Sequence, residues 1–270
     1  MKSIRKYLPY IVLATMVVVL LLVQCIFGDF PLWFFAAPMN LLVGALWLMA
    51  IWECFRRRKT LATVQYMLSA EATYVALLLL VIMAVVLGLQ REPVSTSWFI
   101  VGGFVYVLTV LSFVILRGWR NARGVRWRFL ITHLGLWLAV VSVFLGAPDK
   151  QVLRVEVGDN PTREAVNEQG EFHFLDYDLR LIHFDMEQSD SGAPKRFCAT
   201  VAIDDEEVDI EVNRPYSYRY GEDIYLVNYS TSGCMLQIVR EPWRAVTAAG
   251  VVMLLIGAMM LFLQGFQKRV

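Results

Sequence analysis

Residues 129–147 read FLITHLGLWLAVVSVFLGA. A bilayer core roughly 30 Å thick takes about 20 residues of helix to cross, and this run has that length with one ionisable side chain, His133. The segment after it, 149–241, is polar and collects most of the acidic residues. The run therefore marks where a membrane-embedded chain leaves hydrocarbon for a folded domain of another kind.

Five further runs are of the same kind: 8–27, 32–52, 72–89, 98–116 and 245–263. With 57% hydrophobic and 18% charged residues and a mean hydropathy of +0.53, the chain is of the membrane class. The first run is too long for a signal-peptide core, and no Ala-x-Ala site follows it, so a retained first span is predicted. Pro38 lies inside the second run near one end, which predicts a kink or a late helix start.

Basic residues in short loops stay on the cytoplasmic side. Lys2, Arg5 and Lys6 precede the first run, and Arg56, Arg57, Arg58 and Lys59 follow the second. Arg117, Arg120, Arg123, Arg126 and Arg128 separate the fourth and fifth, and Lys268 and Arg269 follow the sixth. Six spans put all four clusters on one side. The predicted architecture is a membrane α-helical bundle of six transmembrane helices, both termini cytoplasmic, with one extracytoplasmic β-rich domain inserted between the fifth and sixth helices. The turn at 28–31 and the loop at 90–97 are predicted to lie outside, and residues 60–69 to form an interfacial helix leading into the third span. This divides the chain into two N-terminal helices (1–59), three helices with their lead-in (60–148), the outer domain (149–242) and a final helix with tail (243–270).

Period-2 patterns occur only in the outer segment. At 177–185, Tyr177, Leu179, Leu181 and His183 alternate with Asp178, Arg180, Ile182 and Phe184, which predicts a strand. Residues 197–203 and 208–212 flank the acidic turn 204–207, and 223–229 and 235–239 flank Thr231-Ser232-Gly233, each pair reading as a hairpin.

His133 is the one histidine of three within a run. An imidazole in hydrocarbon either hydrogen-bonds across helices or serves a ligand. With no Cys, Asp or Glu nearby it cannot build a tetrahedral zinc site, so a metal there would be haem iron, held through one axial nitrogen. Trp137, four residues on, shares its helix face and would wall the ring. The second axial ligand would have to come from another subunit or copy. The arginines at 117–128 anchor the topology, with contact to haem carboxylates as the alternative reading. His173 and His183 read as structural residues of strands. Cys198 and Cys234 share the outer compartment, so a disulfide and two buried thiols are both open, whereas Cys25 and Cys54 lie at opposite ends of the first two spans and cannot pair.

Other chemistries lack their residues. No Cys-x-x-Cys or Cys-x-x-Cys-His supports thiol redox or covalent haem, and no Gly-rich phosphate loop supports ATP-driven transport. Glu53 and Glu71 lie near helix ends and do not form a hydrolytic pair or a midplane ion site. No basic surface interleaved with aromatics suits nucleic acid, and no inverted repeat suits a carrier.

Residues 211–229, EVNRPYSYRYGEDIYLVNY, combine Asn-x-Pro with a following Tyr, Gly and Ile-Tyr strand. They resemble the ResB family of cytochrome c biogenesis proteins. Residues 174–200, with Lys195-Arg196-Phe197 opening a strand after Ser191-Gly192, are similar to that family's outer domain. Glu241-Pro242-Trp243 with Gly250 and Gly257 looks like its closing helix, and residues 132–136 around His133 look like its third core helix; 68–89 and 98–116 are similar to the first two. The resemblance spans 68–263, with residues 8–52 outside the family core and an outer domain short for the family. It implies a haem-delivery and scaffold subunit of a System II cytochrome c synthase in the bacterial inner membrane. Such a subunit is non-catalytic or co-catalytic in a lyase-type reaction and carries non-covalent haem b with His133 as one axial ligand. The implied partners are a CcsA-type membrane subunit, which holds the tryptophan-rich haem-handling segment this chain lacks, and apocytochrome c. A reading of another class is a cofactor-free, membrane-anchored interaction or sensory protein with an outer β-domain.

Overall fold

The computed structural model describes residues 2–89, 97–122, 124–188, 194–230 and 233–267. Most of the loop expected at 90–97 lies outside these residues, as do Arg123, Ser191-Gly192, Thr231-Ser232, Lys268 and Arg269. The chain divides into two units, residues 1–148 with 245–270, and residues 149–244.

The first unit is helical: α1 (Lys2–Phe27), α2 (Met39–Arg56), α3 (Ala62–Met67), α4 (Ala70–Leu89), α5 (Trp98–Gly118), α6 (Trp127–Gly146) and α7 (Arg244–Gln267). Five helices are long and apolar enough to cross a membrane, namely Met39–Arg56, Ala70–Leu89, Trp98–Gly118, Trp127–Asp149 and Arg244–Leu263, and Ala14–Phe27 is a shorter apolar helix. Leu78 and Val81 on α4 and Leu255, Met259 and Phe262 on α7 are all 60% exposed or more. Faces that apolar suit lipid and mark a membrane protein.

Pro38 accounts for the late start of the second helix. A 3-10 turn fills Leu32–Phe35 and α2 begins only at Met39, with Pro38 at its N-cap. The lead-in to α4 is a six-residue helix, α3, that buries Val64 and Tyr66 and sets the Tyr66 hydroxyl 3.2 Å from that of Tyr106 on α5. More buried positions of this unit lie on α5, the central helix, than on any other helix. Its polar Thr109 and Ser112 are tolerated in apolar surroundings because their hydroxyls donate to Val105 and Leu108 carbonyls at 2.6 and 2.7 Å. The basic loop before α6 is a tight hairpin, β1 (Arg120–Asn121) paired with β2 (Gly124–Val125).

Helices α6 and α7 approach to backbone contact. A Cβ added at Gly250 would lie 2.7 Å from the Ala139 nitrogen and 2.9 Å from the Gly135 carbonyl oxygen; one at Gly135 would lie 2.9 Å from the Gly250 oxygen. Thr247 and Ser142 close the same seam with hydroxyls 2.9 Å apart.

The second unit is one eight-stranded antiparallel sheet of β3 (Gln151–Val157), β4 (Thr162–Asn167), β5 (Phe172–Gln188), β6 (Pro194–Ile203), β7 (Glu206–Glu211), β8 (Tyr216–Arg219), β9 (Glu222–Ser230) and β10 (Gly233–Arg240). Their order is β7-β6-β5-β4-β3-β10-β9-β8. Although three strands separate β5 from β9, Phe184 of β5 stacks on Tyr229 of β9 at 5.0 Å, and Phe197 of β6 reaches the same ring at 4.9 Å. The sheet therefore curls over its inner face. Alternate residues fill the core: Leu153, Val155 and Val157, Leu175, Tyr177 and Leu179, Val201 and Ile203, Leu236 and Ile238.

The alternation read at 177–185 holds only to Leu181. A register shift between Leu181 and His183 turns His183 outward and packs Phe184 against the core, reversing the faces expected for both. In the acidic hairpin, Asp204 takes φ 51° and its carboxylate accepts the Asp178 amide at 2.8 Å. That turn is thus a bonded corner.

Candidate functional site

His133 lies in the second turn of α6, half-buried. Its Nδ1 is 2.8 Å from the Phe129 carbonyl oxygen. A carbonyl only accepts, so Nδ1 carries the proton and Nε2 keeps its lone pair in the neutral ring. The Phe129 ring stacks on the imidazole, centroids 3.9 Å apart at 25°. Nε2 meets no hydrogen-bond partner among the described residues. A histidine whose other ring nitrogen is fixed on a backbone carbonyl is in the state that metal-ligating histidines adopt.

Trp137 is turned to a different task. Its indole N–H donates to Ser112 on α5 at 2.9 Å and its ring stacks on Trp47 of α2, 6.5 Å away at 11°. It borders a cavity of about 270 Å³ with Leu48, Ile51, Ser112 and Leu134, and His133 is not in that lining. The aromatic wall beside His133 is thus Phe129, one turn before it, where helical spacing had pointed to Trp137.

The arginine cluster is partly engaged at helix ends. The Arg117 guanidinium donates to the Leu68 carbonyl, and Arg126 donates to the Gly118 carbonyl at 3.3 Å. Leu68 caps the C-terminus of α3 and Gly118 is the last residue of α5, positions where carbonyls lack intrahelical donors. Arg126 also lies over the Phe129 ring, 4.8 Å from its centroid.

In the β unit, His173 pairs with Asn167 at 3.2 Å and His183 is exposed. Cys198 and Cys234 are both buried thiols outside any disulfide, on β6 and β10. Burial pushes the Cys234 thiol up to about 11, the setting of an inert structural cysteine. No group of three or more His, Cys, Asp or Glu side chains suited to a metal occurs among the described residues.

A second polar constellation escaped sequence reading. Glu222, 2% exposed, accepts from the Tyr177 hydroxyl at 2.5 Å, from Arg219 at 2.8 Å and from Arg240 at 2.9 Å. Arg219 also grips Asp176 in bidentate fashion at 2.6 and 3.2 Å. Two guanidiniums thus face two carboxylates. The hydrogen bond from Arg219 holds the Asp176 carboxyl below its ordinary range, and Asp176 in turn raises Arg219. Its members come from β5, β8, β9 and β10, and only the folded sheet brings them together.

Burial, then the bond to Glu222, raises the Tyr177 phenol well above its ordinary 10.0. A raised folded value means that Tyr177 contributes stability fully below pH 10 and loses it as pH rises past that point. The expected result is a steeper fall of the unfolding midpoint above pH 10 in the natural protein than in Tyr177→Phe. Equal slopes in the two proteins would refute this.

Residues 122–244 match the family model described as ResB-like family, consistent with a ResB-type cytochrome c biogenesis protein. A comparison with curated proteins finds no match. Among solved structures the chain is similar to one titled Cytochrome c Heme Lyase CcmF, at 10% identity and a TM-score of 0.41, over 71% of this chain and 34% of that one. The chain thus spans about a third of the length of that relative.

Proposed function

We propose, on the premise of the ResB-like match over 122–244, that this chain is a haem-delivery and scaffold subunit of a System II cytochrome c synthase. The observation that carries the reading is His133, inside the matched segment, with Nδ1 committed to the Phe129 carbonyl and Nε2 left for iron. Haem is the cargo, and it supplies the vinyl groups that become thioether bonds to apocytochrome c. The chain's own part is to ligate and to orient: His133 offers one neutral nitrogen from a helix that runs on into the β unit. A second ligand nitrogen would come from a partner subunit, a CcsA-type protein in this proposal, or from a second copy of the chain, and the β unit would present apocytochrome.

In this proposal α1 is also a span, making six in the bacterial inner membrane. The four basic clusters then face the cytoplasm, and residues 149–242 lie outside. Haem enters near the cytoplasmic start of α6, where His133 lies. The subunit is non-catalytic or co-catalytic in the lyase-type reaction.

The test is the haem content of the complex purified from membranes. His133→Ala is expected to lower haem per complex about tenfold or more, as loss of a metal-holding group does, and to remove the Soret band. Unchanged haem and an unchanged spectrum in that variant would overturn the reading, as would a colourless natural complex.

A further inference from the structure

Phe129 is held at more points than a packing phenylalanine needs. Gly118, the last residue of α5, touches its ring so closely that a Cβ there would lie 2.3 Å from the ring's ζ carbon. Arg126, at the N-cap of α6, donates to the Gly118 carbonyl at 3.3 Å and lies over the same ring at 4.8 Å, so one guanidinium ties the glycine to the phenylalanine. Phe129 in turn holds His133 twice, through its carbonyl at 2.8 Å from Nδ1 and through its ring stacked at 3.9 Å.

We propose that Gly118, Arg126 and Phe129 form a clamp that sets both the ring plane and the tautomer of His133, making them positioning residues for the iron ligand. The proposal rests on the haem reading for its purpose, and on the geometry alone for its existence. A neutral imidazole can carry its proton on either nitrogen and can rotate about its side-chain torsions. The carbonyl removes the first freedom and the stack removes the second. Gly118 is required because any side chain there would displace the ring that does the holding. Arg126 holds that ring from the hairpin side, so the basic turn between α5 and α6 acts on the ligand without touching it.

The clamp is tested first without haem. The full chain in detergent, labelled with ¹³C and ¹⁵N at its three histidines, gives few enough signals for His133 to be assigned by its loss in His133→Gln. The ¹⁵N shifts should report Nδ1–H, and the ring protons should lie upfield of free histidine through the Phe129 ring current. Phe129→Leu should abolish that upfield shift with helix content unchanged, Phe129→Tyr should retain it, and Gly118→Ala should diminish it. An unshifted His133 in the natural chain, or the same shift in Phe129→Leu, overturns the clamp. In the haem-loaded complex, Phe129→Leu should keep haem within about twofold yet alter the ferric low-spin electron paramagnetic resonance signal, since ligand orientation tunes the iron. An identical signal would deny the clamp any role toward haem. Failure of the haem reading itself is read separately, from haem retained in His133→Ala.

Discussion

Glu222→Gln is expected to lower the unfolding midpoint of the 149–244 unit by about 12 °C or more. The carboxylate is 2% exposed and is the common acceptor of Tyr177, Arg219 and Arg240. A glutamine keeps the shape but turns one oxygen into an NH₂ donor. Turned toward the guanidiniums, that donor meets donors only; turned toward Tyr177, it can be accepted by the hydroxyl, but in both orientations the negative charge shared by Arg219 and Arg240 is lost. Breaking one side of a buried ion pair costs about 3–5 kcal/mol, and 1 kcal/mol moves the midpoint of a domain this size by roughly 4–8 °C. The pair Arg163 and Asp178 is the built-in contrast. Its bidentate bonds of 2.7 and 2.8 Å are as short, but its side chains are 52% and 40% exposed, so Asp178→Asn should cost under about 1 kcal/mol. Midpoints can be read by heating the full chain in detergent and following protease cleavage within 149–244. A Glu222→Gln midpoint no lower than that of Asp178→Asn would refute the ranking.

What was legible in the sequence divides along the range of the forces involved. Helices α2, α4, α5, α6 and α7 follow from unbroken apolar runs because the requirement for them is local. The edge at Pro38 is local too, since proline fixes its own φ and withholds an amide. Strands β5, β6, β7, β9 and β10 were readable from alternation. Strand β3 carries the same signal, for Leu153, Val155 and Val157 alternate with Arg154 and Glu156. Strand β4 has one fully buried side chain, Ala165, and β8 has four residues, so neither carries a pattern.

The misses at the sites have another cause. The shift after Leu181 is set by pairing with β6, and nothing within 177–185 announces it. Glu222 looks like a turn residue after Gly221 until β5, β8 and β10 bring it a tyrosine and two arginines. Phe129 and Trp137 are equally spaced from His133, and helical spacing cannot choose between them. What decides is that the Trp137 indole N–H needs an acceptor in apolar surroundings and finds Ser112 on α5, which turns the ring toward Trp47.

Gly250→Leu is expected to lower the thermal midpoint of the first unit by the equivalent of about 2 kcal/mol or more. Two effects oppose each other. Leucine is the better helix former by about 0.8–1 kcal/mol, which favours α7 as a helix. Against this, the atoms that a Cβ at Gly250 would meet at 2.7 and 2.9 Å, the Ala139 nitrogen and the Gly135 oxygen, are backbone. A side chain can swing aside, whereas backbone retreats only if α6 and α7 separate along the seam. Separation also breaks the hydrogen bond that the Thr247 hydroxyl donates to Ser142, while the Ser142 hydroxyl stays on the Ala139 carbonyl of its own helix at 3.0 Å. The packing loss therefore wins. Gly88 on α4 is the control, because a Cβ there meets nothing within 4 Å, so Gly88→Leu keeps the helix gain without the clash and should leave the midpoint level or raised. Equal midpoints for the two variants in detergent would refute the seam. The effect reaches further than stability, because Thr132, Gly135, Ala139 and Ser142 lie along one side of α6 while Phe129, His133 and Trp137 lie along another. A substitution on α7 that pushes α6 aside must carry His133 with it, so Gly250→Leu should disturb the His133 resonances from the opposite side of its helix, and Gly88→Leu should not.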